Sequence, residues 1–496
     1  MSSRTPSSTC LISGVPADER RRESTALPPA VVGSRSACRA RVRGLIAGGL
    51  VVLCSVLVPT RALVRGAEAP VVLRPDLAIR KVLDTGGQGV RLAVDPVTQT
   101  LYELDGQGHV SRVDLPPSGT ATRTVVYQAP EVGTAERTLG LAFGPDGTLY
   151  VVSNRTLGPM TQALIRKGVR QTSGARVWST LASTVPYPKS QTAFDHSFNA
   201  IVVSPDGRWI YVNSGSRTDH GEIRDQGGRF PQLREVPLTA AIFRLPADAT
   251  EVVLPNDAAA LQAKGYLFAA GLRNAFTLAF TPDGELFAGE NGPEADYPEE
   301  LNWVRAGHHY GFPWRFGRDD NPQRFPQYDP AADRRLPPGV AASSLYARDP
   351  SFPTPPAAFT DPVANAGPAA DHSIAADGRR QRASEAGAPL YTFTPHRVPV
   401  GLTFDTARGL PPPYRGAGLL LSWGNPAARN PTFIDAGQDL LHLQLTTDGV
   451  TYSLRATPLV RGFQHPIDSA LLGRTLYILE WGGAGSLWAL TFRDAP

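Results

Sequence analysis

Apolar and polar residues alternate in short runs along most of the chain, and the clearest example lies within residues 271–314. Two such runs, residues 277–280 and 285–288, flank a Pro-Asp-Gly turn at residues 282–284. Proline presets φ at the start of a tight turn and glycine accepts a positive φ, so the pattern predicts a β-hairpin. Because hairpin strands are antiparallel, the polar residues on either side of it come to the same edge of the sheet.

The same hairpin pattern recurs six times, which is typical of a β-propeller. One blade cannot bury both of its faces, so the six must stack in a ring around a channel. We therefore predict an all-β fold, a six-bladed β-propeller with long loop insertions. A β-sandwich with repeated hairpins is the alternative that the pattern leaves open. The copies begin at Val90, Gly140, Ala200, Thr277, Gly401 and Asp468.

Composition agrees with this fold class. The 48 glycines and 46 prolines make up nearly a fifth of the 496 residues, which favours many turns and few long helices. The copies are unevenly spaced, so the blades must carry insertions. The largest, residues 317–389, is rich in proline and aspartate and has little periodicity, which predicts long surface loops.

The amino-terminal region differs from the rest. Residues 1–38 are polar and predict a disordered or mis-assigned extension. Residues 39–69 combine arginines, an apolar run at residues 45–58 and an Ala-Glu-Ala site, which predicts a cleaved signal peptide. The run is shorter than the roughly 20 residues of a membrane span, and an uncleaved anchor is the alternative. The propeller domain is then expected over residues 75–493.

Cysteine and charge counts point the same way. All three cysteines (Cys10, Cys38 and Cys54) precede the predicted propeller, which is therefore expected to have no disulfide and no thiol chemistry. The first 69 residues hold 10 of the 49 basic and 4 of the 45 acidic residues, so the remainder has 39 basic and 41 acidic residues. We accordingly expect no nucleic-acid partner, and a membrane contact only through an uncleaved amino-terminal segment.

Residues just before the first strand and just after the second strand of each copy should gather at one mouth of the channel. In the third copy, a carboxylate beside an imidazole (Asp195-His196) can orient the ring and raise its basicity, as a general base requires. In the fourth, Arg273 and Asn274 form a donor fork beside an amide, suited to carboxylates or developing negative charge. The alternatives are an ordinary loop histidine, and an arginine paired with a nearby acid such as Glu290.

The motifs GLRN, the Pro-Asp-Gly hairpin, NGP, EELN and HHYGFPW follow one another in residues 271–314. Together they resemble the glucose/sorbosone dehydrogenase family of sugar dehydrogenases that depend on pyrroloquinoline quinone (PQQ). The segment DHSFNAIVVSPDG, which begins at Asp195, matches the place of that family's catalytic Asp-His pair. The resemblance covers most of residues 75–493 and is strongest in the third and fourth copies.

The resemblance implies specific roles. His196 would be the catalytic base and Asp195 its orienting partner. Arg273 and Asn274 would contact PQQ, and Arg273 would also be catalytic, because it would polarise the carbonyl next to the hydride-accepting carbon. The backbone carbonyls of Gly292 and Pro293 would hold a Ca²⁺ ion that bridges to the cofactor, and carbonyl oxygens are proper calcium ligands.

Around these two positions, an acidic loop (Glu294, Asp296, Glu299 and Glu300) either binds a second calcium or is a solvated surface. GHHYGFPW, with adjacent rather than helically spaced histidines, is expected to be a structural turn that packs aromatic rings.

Three positions depart from the family pattern. Glu136 and Arg137 stand near the place of a cofactor-contacting glutamine, no lysine follows the second strand of the fifth copy, and GFQHPID stands where an arginine is expected. PQQ is a tricarboxylate, so other cations must take over. The candidates are Arg397, Arg429, His396 and His465, of which Arg397 and His465 are the preferred cofactor-binding residues.

These observations predict a secreted or periplasmic oxidoreductase that uses PQQ and Ca²⁺ to oxidise an aldose or sugar aldehyde. Its partners would be a small sugar-derived substrate and an external electron acceptor. One alternative is a non-catalytic propeller that binds a glycan or a protein. Another is a calcium-dependent, lactonase-like hydrolase, which would need a ring of side-chain carboxylates at the mouth.

Overall fold

The structure is a computed structural model that describes residues 69–343, 345–356, 358–375, 377–424, 433, 435 and 437–494. The amino-terminal extension and nearly all of the expected signal peptide lie outside these residues, and so does Arg429. In the described part, no helix has both the length and the hydropathy needed to cross a bilayer.

Six mainly antiparallel sheets form the blades of a β-propeller, as the hairpin repeats predict. Two strands, β1 (Val71–Val72) and β2 (Leu77–Asp84), precede the first blade and pair with later ones. Blade 1 consists of β3 (Gly89–Asp95), β4 (Thr100–Asp105), β5 (Val110–Asp114) and β6 (Thr122–Tyr127), and a short helix, α1 (Ala129–Val132), follows it.

Blades 2 and 3 are interlocked, because a strand from the insertion in blade 3 pairs with the outside of blade 2. Blade 2 consists of β7 (Arg137–Phe143), β8 (Leu149–Leu157), β9 (Met160–Arg170), β10 (Arg176–Thr184), β11 (Tyr187–Pro188) and the parallel strand β15 (Val252–Leu254). Blade 3 consists of β12 (Phe198–Val203), β13 (Trp209–Ser214), β14 (Ala241–Pro246) and β16 (Leu267–Ala270), with α2 (Ala258–Ala263) before its last strand.

Blade 4 has three strands, and a long insertion separates it from blade 5. Blade 4 consists of β17 (Thr277–Phe280), β18 (Leu286–Glu290) and β19 (Glu300–Trp303). The elements that follow are β20 (Arg315–Phe316), β21 (Asp319–Asp320), a 3₁₀ helix (Pro322–Arg324), α3 (Pro338–Ala341), β22 (Ala364–Pro368), β23 (His372–Ile374), β24 (Arg380–Arg382) and α4 (Ala383–Ala386).

Blade 6 closes the ring by taking its outer strand from the other end of the chain. Blade 5 consists of β25 (Pro399–Phe404), β26 (Gly418–Ser422), β27 (Asp439–Thr447) and β28 (Tyr452–Arg461), with β1 and β22 paired to β28. Blade 6 consists of β29 (Pro466–Leu472), β30 (Thr475–Glu480), β31 (Ser486–Phe492) and, outermost, β2.

Each predicted copy falls on the innermost pair of strands of one blade. The innermost strands β3, β7, β12, β17, β25 and β29 pack against one another in this cyclic order and line the central channel. Five of them carry a register shift within their first residues; β17 does not. Such bulges bend a strand and redirect its side chains, and here they lie at the end of the channel where the site residues were expected.

The prediction of surface loops for residues 317–389 is wrong in part. Leu336 and Tyr346 of this insertion are buried, and they join a hydrophobic cluster with Tyr297, Phe312 and Phe316 beside blade 4. The cause is long-range packing, which leaves no period in the local sequence. The turn around Tyr310 and Phe312 is buried, and its His309 ring contacts Trp314, as expected for GHHYGFPW.

Ring closure should be sensitive to the buried face of β2. Leu77 is buried in the core of blades 5 and 6 and pairs with Phe492, whereas Arg80 on the same strand is exposed. Leu77→Ala should lower the free energy of unfolding by about 2–5 kcal/mol, as large-to-small core changes do. Arg80→Ala, the matched control, should change it by about 0.5 kcal/mol or less. Urea denaturation measures both, and equal effects would show that β2 is not part of the cooperative core.

Candidate active site

Loops from blades 3 and 4 meet at one mouth of the ring. His196 precedes β12, Ser216 follows β13 and Arg273 precedes β17. The backbone N–H of His196 donates to the Ser216 carbonyl (3.0 Å), and the N–H of Ser216 donates to the Arg273 carbonyl (2.6 Å). The structure therefore brings His196 and Arg273 together, as the hairpin topology predicts.

The hydrogen bonds of His196 determine its tautomer. Its Nδ1 lies 3.1 Å from the Ser216 carbonyl oxygen and 3.2 Å from the Ser216 hydroxyl, which itself donates to the Thr218 carbonyl (2.7 Å). A carbonyl can only accept, so Nδ1 must carry the proton. Nε2 is then the unprotonated nitrogen, and it makes no hydrogen bond with any described residue. The side chain is a base with its lone pair available.

Two features of the surroundings keep His196 neutral and close to Asn274. Burial and then the nearby positive charge of Arg273 lower the pKa of His196 well below its usual range. A Cβ placed on Gly215 would lie 2.4 Å from the Cβ of His196 and 2.8 Å from Oδ1 of Asn274. Position 215 must therefore be glycine for the side chains of His196 and Asn274 to pack this close to its backbone.

Asp195 does not orient the imidazole, contrary to the expectation from the sequence. Its carboxylate accepts hydrogen bonds from the backbone N–H groups of Ser190 (2.6 Å) and Gln191 (2.7 Å), and its carbonyl accepts one from Arg137 (2.8 Å). Adjacent side chains on an extended loop point in different directions, so sequence neighbours need not touch. Asp195 shapes the loop before β12, and Ser216 takes the orienting role.

Arg273 is buried and bonded on three of its side-chain N–H groups. Nε donates to the Asp219 carbonyl and Nη2 to the Asp219 carboxylate, both at 2.7 Å, while Nη1 donates to the Asn291 carbonyl (3.0 Å). Its backbone N–H donates to Glu290. The guanidinium thus pairs with an acid, but with Asp219 rather than Glu290. Two of its five side-chain donors make no contact among the described residues.

Asp219 is the site residue that the sequence interpretation missed. Its carboxylate lies 2.9 Å from Nδ1 of His220 and accepts from the Tyr346 hydroxyl (3.3 Å) and the backbone N–H of Glu294 (3.2 Å). It therefore connects Arg273 to the loop that begins with Gly292. The sequence feature that could have identified Asp219 is an Asp-His dipeptide just after β13, of the same kind as the one before β12. No such feature marks its partner Tyr346, which lies in the insertion without periodicity.

The charges of this cluster are balanced inside the protein. Burial alone would raise the pKa of Asp219, but the hydrogen bond from His220 and the charge of Arg273 lower it well below its usual range. Burial likewise opposes the charge on Arg273, and Asp219 reverses the effect and raises its pKa. Both groups are therefore ionised at neutral pH.

Asn274 is held by a row of asparagine side chains that crosses from blade 3. The Asn213 amide donates to Oδ1 of Asn199, and the Asn199 amide donates to Oδ1 of Asn274, both at 2.9 Å. This row fixes which end of the Asn274 amide accepts. Its NH₂ group makes no hydrogen bond with a described residue and can donate to a ligand.

Gly292 and Pro293 follow β18 at the same mouth. The Gly292 N–H donates to the Glu299 carboxylate (2.8 Å), whereas neither carbonyl oxygen accepts a hydrogen bond from a described residue. Two carbonyls with free lone pairs suit a cation such as Ca²⁺. In the described part of the chain, no cluster of three or more acidic, histidine or cysteine side chains could hold a metal ion. Any calcium here would rely on backbone oxygens.

The acidic loop is not a solvated surface, which corrects one of the two interpretations of its sequence. Asp296, Glu299 and Glu300 are all buried. Asp296 lies 2.7 Å from Nε2 of His396, whose pKa it raises against the effect of burial. The carboxylates of Asp296, Glu299 and Glu300 therefore bond to groups of the protein itself and have a structural role.

Glu290 and Glu300 are opposite each other on β18 and β19 and share the Asn302 amide, at 2.9 and 3.0 Å. Burial raises the pKa of Glu300 to about 7, and burial together with the charge of Glu300 raises that of Glu290 well above its usual range. Two carboxyl groups this close cannot both ionise cheaply. The pair therefore carries at least one proton near neutral pH.

Arg397 and His465 do not supply the cations expected of them. Arg397 is buried and donates to Asp439 (2.5 Å), Asp435 and Ser422 (3.1 Å), so two carboxylates already balance its charge. The His465 ring lies 4.8 Å from the Trp423 ring, and burial lowers its pKa, which favours the neutral form. Sequence position placed both residues at the mouth, but their partners come from other strands and could not be read locally.

Removing the Asp219 charge should destabilise the mouth. Asp219→Asn leaves Arg273 buried without its carboxylate, which should lower the free energy of unfolding by about 3–5 kcal/mol at pH 7. Because the folded-state pKa of Asp219 is lowered, this stabilisation is full above its unfolded value of about 3.9 and declines as pH falls from there towards the much lower folded-state pKa. Denaturation across pH 3–7 should show wild type and variant converging towards acid. Asp494→Asn, which removes one partner of an exposed ion pair with Arg474, is the control and should have little effect.

Comparisons with known proteins agree with the motifs. Residues 105–342 match the family model described as glucose/sorbosone dehydrogenase. Quinoprotein glucose dehydrogenase B of Acinetobacter calcoaceticus is 27% identical over 258 residues, which are 46% of this chain and 51% of that protein. The match thus spans about half the length of this curated relative.

Two solved structures show the same fold. The holo form of the pyranose dehydrogenase PQQ domain from Coprinopsis cinerea aligns with a TM-score of 0.53 at 14% identity, over 85% of this chain and 97% of that one. The calcium structure of a Trichoderma reesei carbohydrate-active enzyme of family AA12 gives 0.51 at 15%, over 86% and 97%. The family match contains Asp195, Arg273 and Pro293 but ends before Arg397. The resemblance predicted from the motifs is confirmed: over residues 105–342 this chain matches the glucose/sorbosone dehydrogenase family.

Proposed function

We propose that the protein is an exported, PQQ- and Ca²⁺-dependent oxidoreductase that oxidises an aldose or a sugar aldehyde. One observation carries the proposal: Nε2 of His196 is an unprotonated base with no partner among the described residues, next to the donors of Arg273 and Asn274. The family match and the quinoprotein relative support the oxidoreductase chemistry.

The residues at the mouth fit the cofactor at its reactive end. Arg273 has two uncommitted N–H groups and Asn274 has an uncommitted NH₂ group, and both suit carbonyl oxygens of a quinone. The carbonyls of Gly292 and Pro293 would hold the calcium ion. When bound, PQQ would supply a two-electron acceptor for a hydride from the sugar carbon.

This chain would manage the proton. The substrate hydroxyl gives its proton to Nε2 of His196, and the Ser216 carbonyl holds the ring in that orientation through Nδ1. Arg273 would hold the quinone end of the cofactor with its two uncommitted N–H groups. Because Asp219 already balances the charge of Arg273, its contribution is directed N–H donation more than net charge.

The electrons would then leave to an external acceptor, which reoxidises the cofactor for the next turnover. We also propose that the domain works outside the cytoplasm, as a secreted or periplasmic protein, on the basis of the signal-like residues 39–69. The substrate is a small sugar-derived molecule.

Two other functions make different predictions. A binding propeller would retain the fold but neither bind PQQ nor reduce a dye. A calcium-dependent lactonase needs side-chain carboxylates around its metal, and the acids near Gly292 in the described structure are bonded to protein groups instead. Two incubations of the full-length protein separate these functions: one with PQQ, Ca²⁺, a panel of aldoses and an artificial electron acceptor, and one with Ca²⁺ and sugar lactones but no PQQ. Dye reduction supports the dehydrogenase, and lactone hydrolysis without PQQ supports the lactonase.

His196→Ala should reduce kcat by about 10²–10⁴-fold, the usual contribution of a general base, while PQQ remains bound. The lowered pKa of His196 should place the acid limb of the kcat/KM profile below about pH 6.5, because the base stays unprotonated to lower pH than an ordinary histidine. That limb should be missing in the variant. Steady-state dye reduction from pH 4 to 8 measures both effects.

Ser216→Ala is the matched control for the base. It removes the hydroxyl near Nδ1 but keeps the backbone carbonyl, so the tautomer is preserved and kcat should fall by less than about 10-fold. Unchanged turnover in His196→Ala would remove this residue from the mechanism.

Calcium removal should release the cofactor before it unfolds the protein. The proposed site uses two carbonyls, which cannot hold Ca²⁺ tightly by themselves, so chelation with EDTA should be rapid. Gel filtration after chelation should show apo protein with an unchanged circular dichroism spectrum and no quinone absorbance, and Ca²⁺ should restore binding. Quinone that stays bound without calcium would contradict the bridging role.

A further inference from the structure

Arg91 lines the central channel below the candidate site. The central channel contains a cavity of about 220 Å³ that is lined by the innermost strands of all six blades. Arg91 of β3 and Asp468 of β29 are the charged residues in that lining. Both side chains are buried. The sequence predicted no role and no partner for Arg91.

Arg91 of blade 1 contacts both neighbouring blades and, across the channel, the turn that precedes blade 4. Nε donates to the Leu139 carbonyl of blade 2 (2.9 Å), and Nη2 donates to the Phe276 carbonyl just before blade 4 (2.7 Å). The guanidinium also lies 4.1 Å from the centre of the Phe276 ring. Nη1 is 3.9 Å from the Asp468 carboxylate of blade 6, close enough to balance charge but not to form a hydrogen bond.

The segment that Arg91 contacts is the turn that carries the candidate site. Arg273 and Asn274 are separated from Phe276 by one alanine. The N–H of Phe276 donates to the Asn274 carbonyl (2.8 Å), and the N–H of Asn291 donates to the same carbonyl (3.0 Å). Arg91 therefore holds the lower end of this turn, while Asp219 and Asn199 hold its side chains from above.

Only a planar fork can make these contacts. Two carbonyls on different blades must be satisfied by one side chain that also lies flat on an aromatic ring. A lysine ammonium could approach one carbonyl or the other but could not bridge both. Burial lowers the pKa of Arg91, and Asp468 partly restores it. Burying an arginine here costs desolvation free energy. We take this cost to indicate that the planar fork is needed to bridge the two carbonyls.

We propose that Arg91 is a positioning residue that holds the turn of residues 273–276, and through it the donors of Arg273 and Asn274, in place at the channel mouth. The role in cofactor binding rests on the proposed function, whereas the hold on the turn does not. Arg91 touches neither substrate nor cofactor, and it acts through Phe276.

Arg91→Lys tests the hold on the turn in the protein without cofactor. Hydrogen exchange of a peptide spanning residues 271–291, which includes the amides of Phe276 and Asn291, should be at least about 10-fold faster than in wild type, since each lost 1.4 kcal/mol of local protection is one decade. Arg176→Lys is the matched control. Arg176 is also buried, donates to two carbonyls (Gly147 at 2.6 Å and Gly168 at 2.9 Å) and packs on an aromatic ring, but at the end of blade 2 away from the mouth.

The second readout is the affinity for PQQ with Ca²⁺, from titration of the quinone absorbance. Arg91→Lys should weaken it about 10-fold and change the spectrum of the bound quinone, while Arg176→Lys should leave both unchanged despite a similar loss of thermal stability. Arg91→Gln, which keeps two N–H donors, provides a milder variant if the lysine variant does not fold.

Normal exchange in the 271–291 peptide of a folded Arg91 variant would overturn the proposal. So would faster exchange with unchanged PQQ affinity and spectrum, because the effect would then be one of stability alone. If wild type itself binds no PQQ, the proposed function fails, and the exchange measurement alone decides the role of Arg91.

Discussion

The ion pair between Arg273 and Asp219 is the interaction on which the candidate site depends. Both groups are buried. Without the carboxylate, the desolvation free energy of the buried guanidinium would not be compensated. The same carboxylate accepts the Glu294 N–H and the Tyr346 hydroxyl. One aspartate therefore fixes the arginine, the loop that begins at Gly292 and the insertion that lies beside blade 4. Movement of any of these would disturb the others.

This arrangement separates the charge balance of the site from the proposed proton transfer to His196. His196 remains a neutral base because burial and the positive charge of Arg273 both disfavour its protonation. Had Asp195 contacted the ring, as its position in the sequence suggested, it would have raised the pKa and favoured the imidazolium form, which cannot accept a proton. Orientation by the Ser216 carbonyl fixes the tautomer without adding negative charge. A carbonyl is thus the better partner for a base that must work at neutral or mildly acidic pH.

The sequence predicted what is local and missed what is distant. A hairpin can be recognised in a sequence from alternating apolar and polar residues and from turns such as the one at Gly284. All six blades were therefore placed correctly. The same topology places His196 close to Arg273. Side-chain partners follow no such rule. Asp219 contacts Arg273 from 54 positions away, Tyr346 contacts Asp219 from 127, and Arg91 contacts Phe276 from 185. No period in the sequence links these pairs. The carboxylate partners of Arg397 and the ring contact of His465 were missed for the same reason.

The groups that are available to a ligand differ between the blades of the ring. This difference affects how the ring would bind a tricarboxylate such as PQQ. Blades 3 and 4 offer a base, uncommitted donors and two carbonyls, and they lie inside the family match. At the described mouth of blades 5 and 6, Arg397 is neutralised by Asp435 and Asp439, and His465 is uncharged. Charge-assisted hydrogen bonds contribute about 1.5–3 kcal/mol each, against about 1 kcal/mol for neutral ones. A cofactor bound here would therefore take its orientation from blades 3 and 4 and much of its affinity from calcium, which makes the two carbonyls after β18 more important than in a site rich in cations.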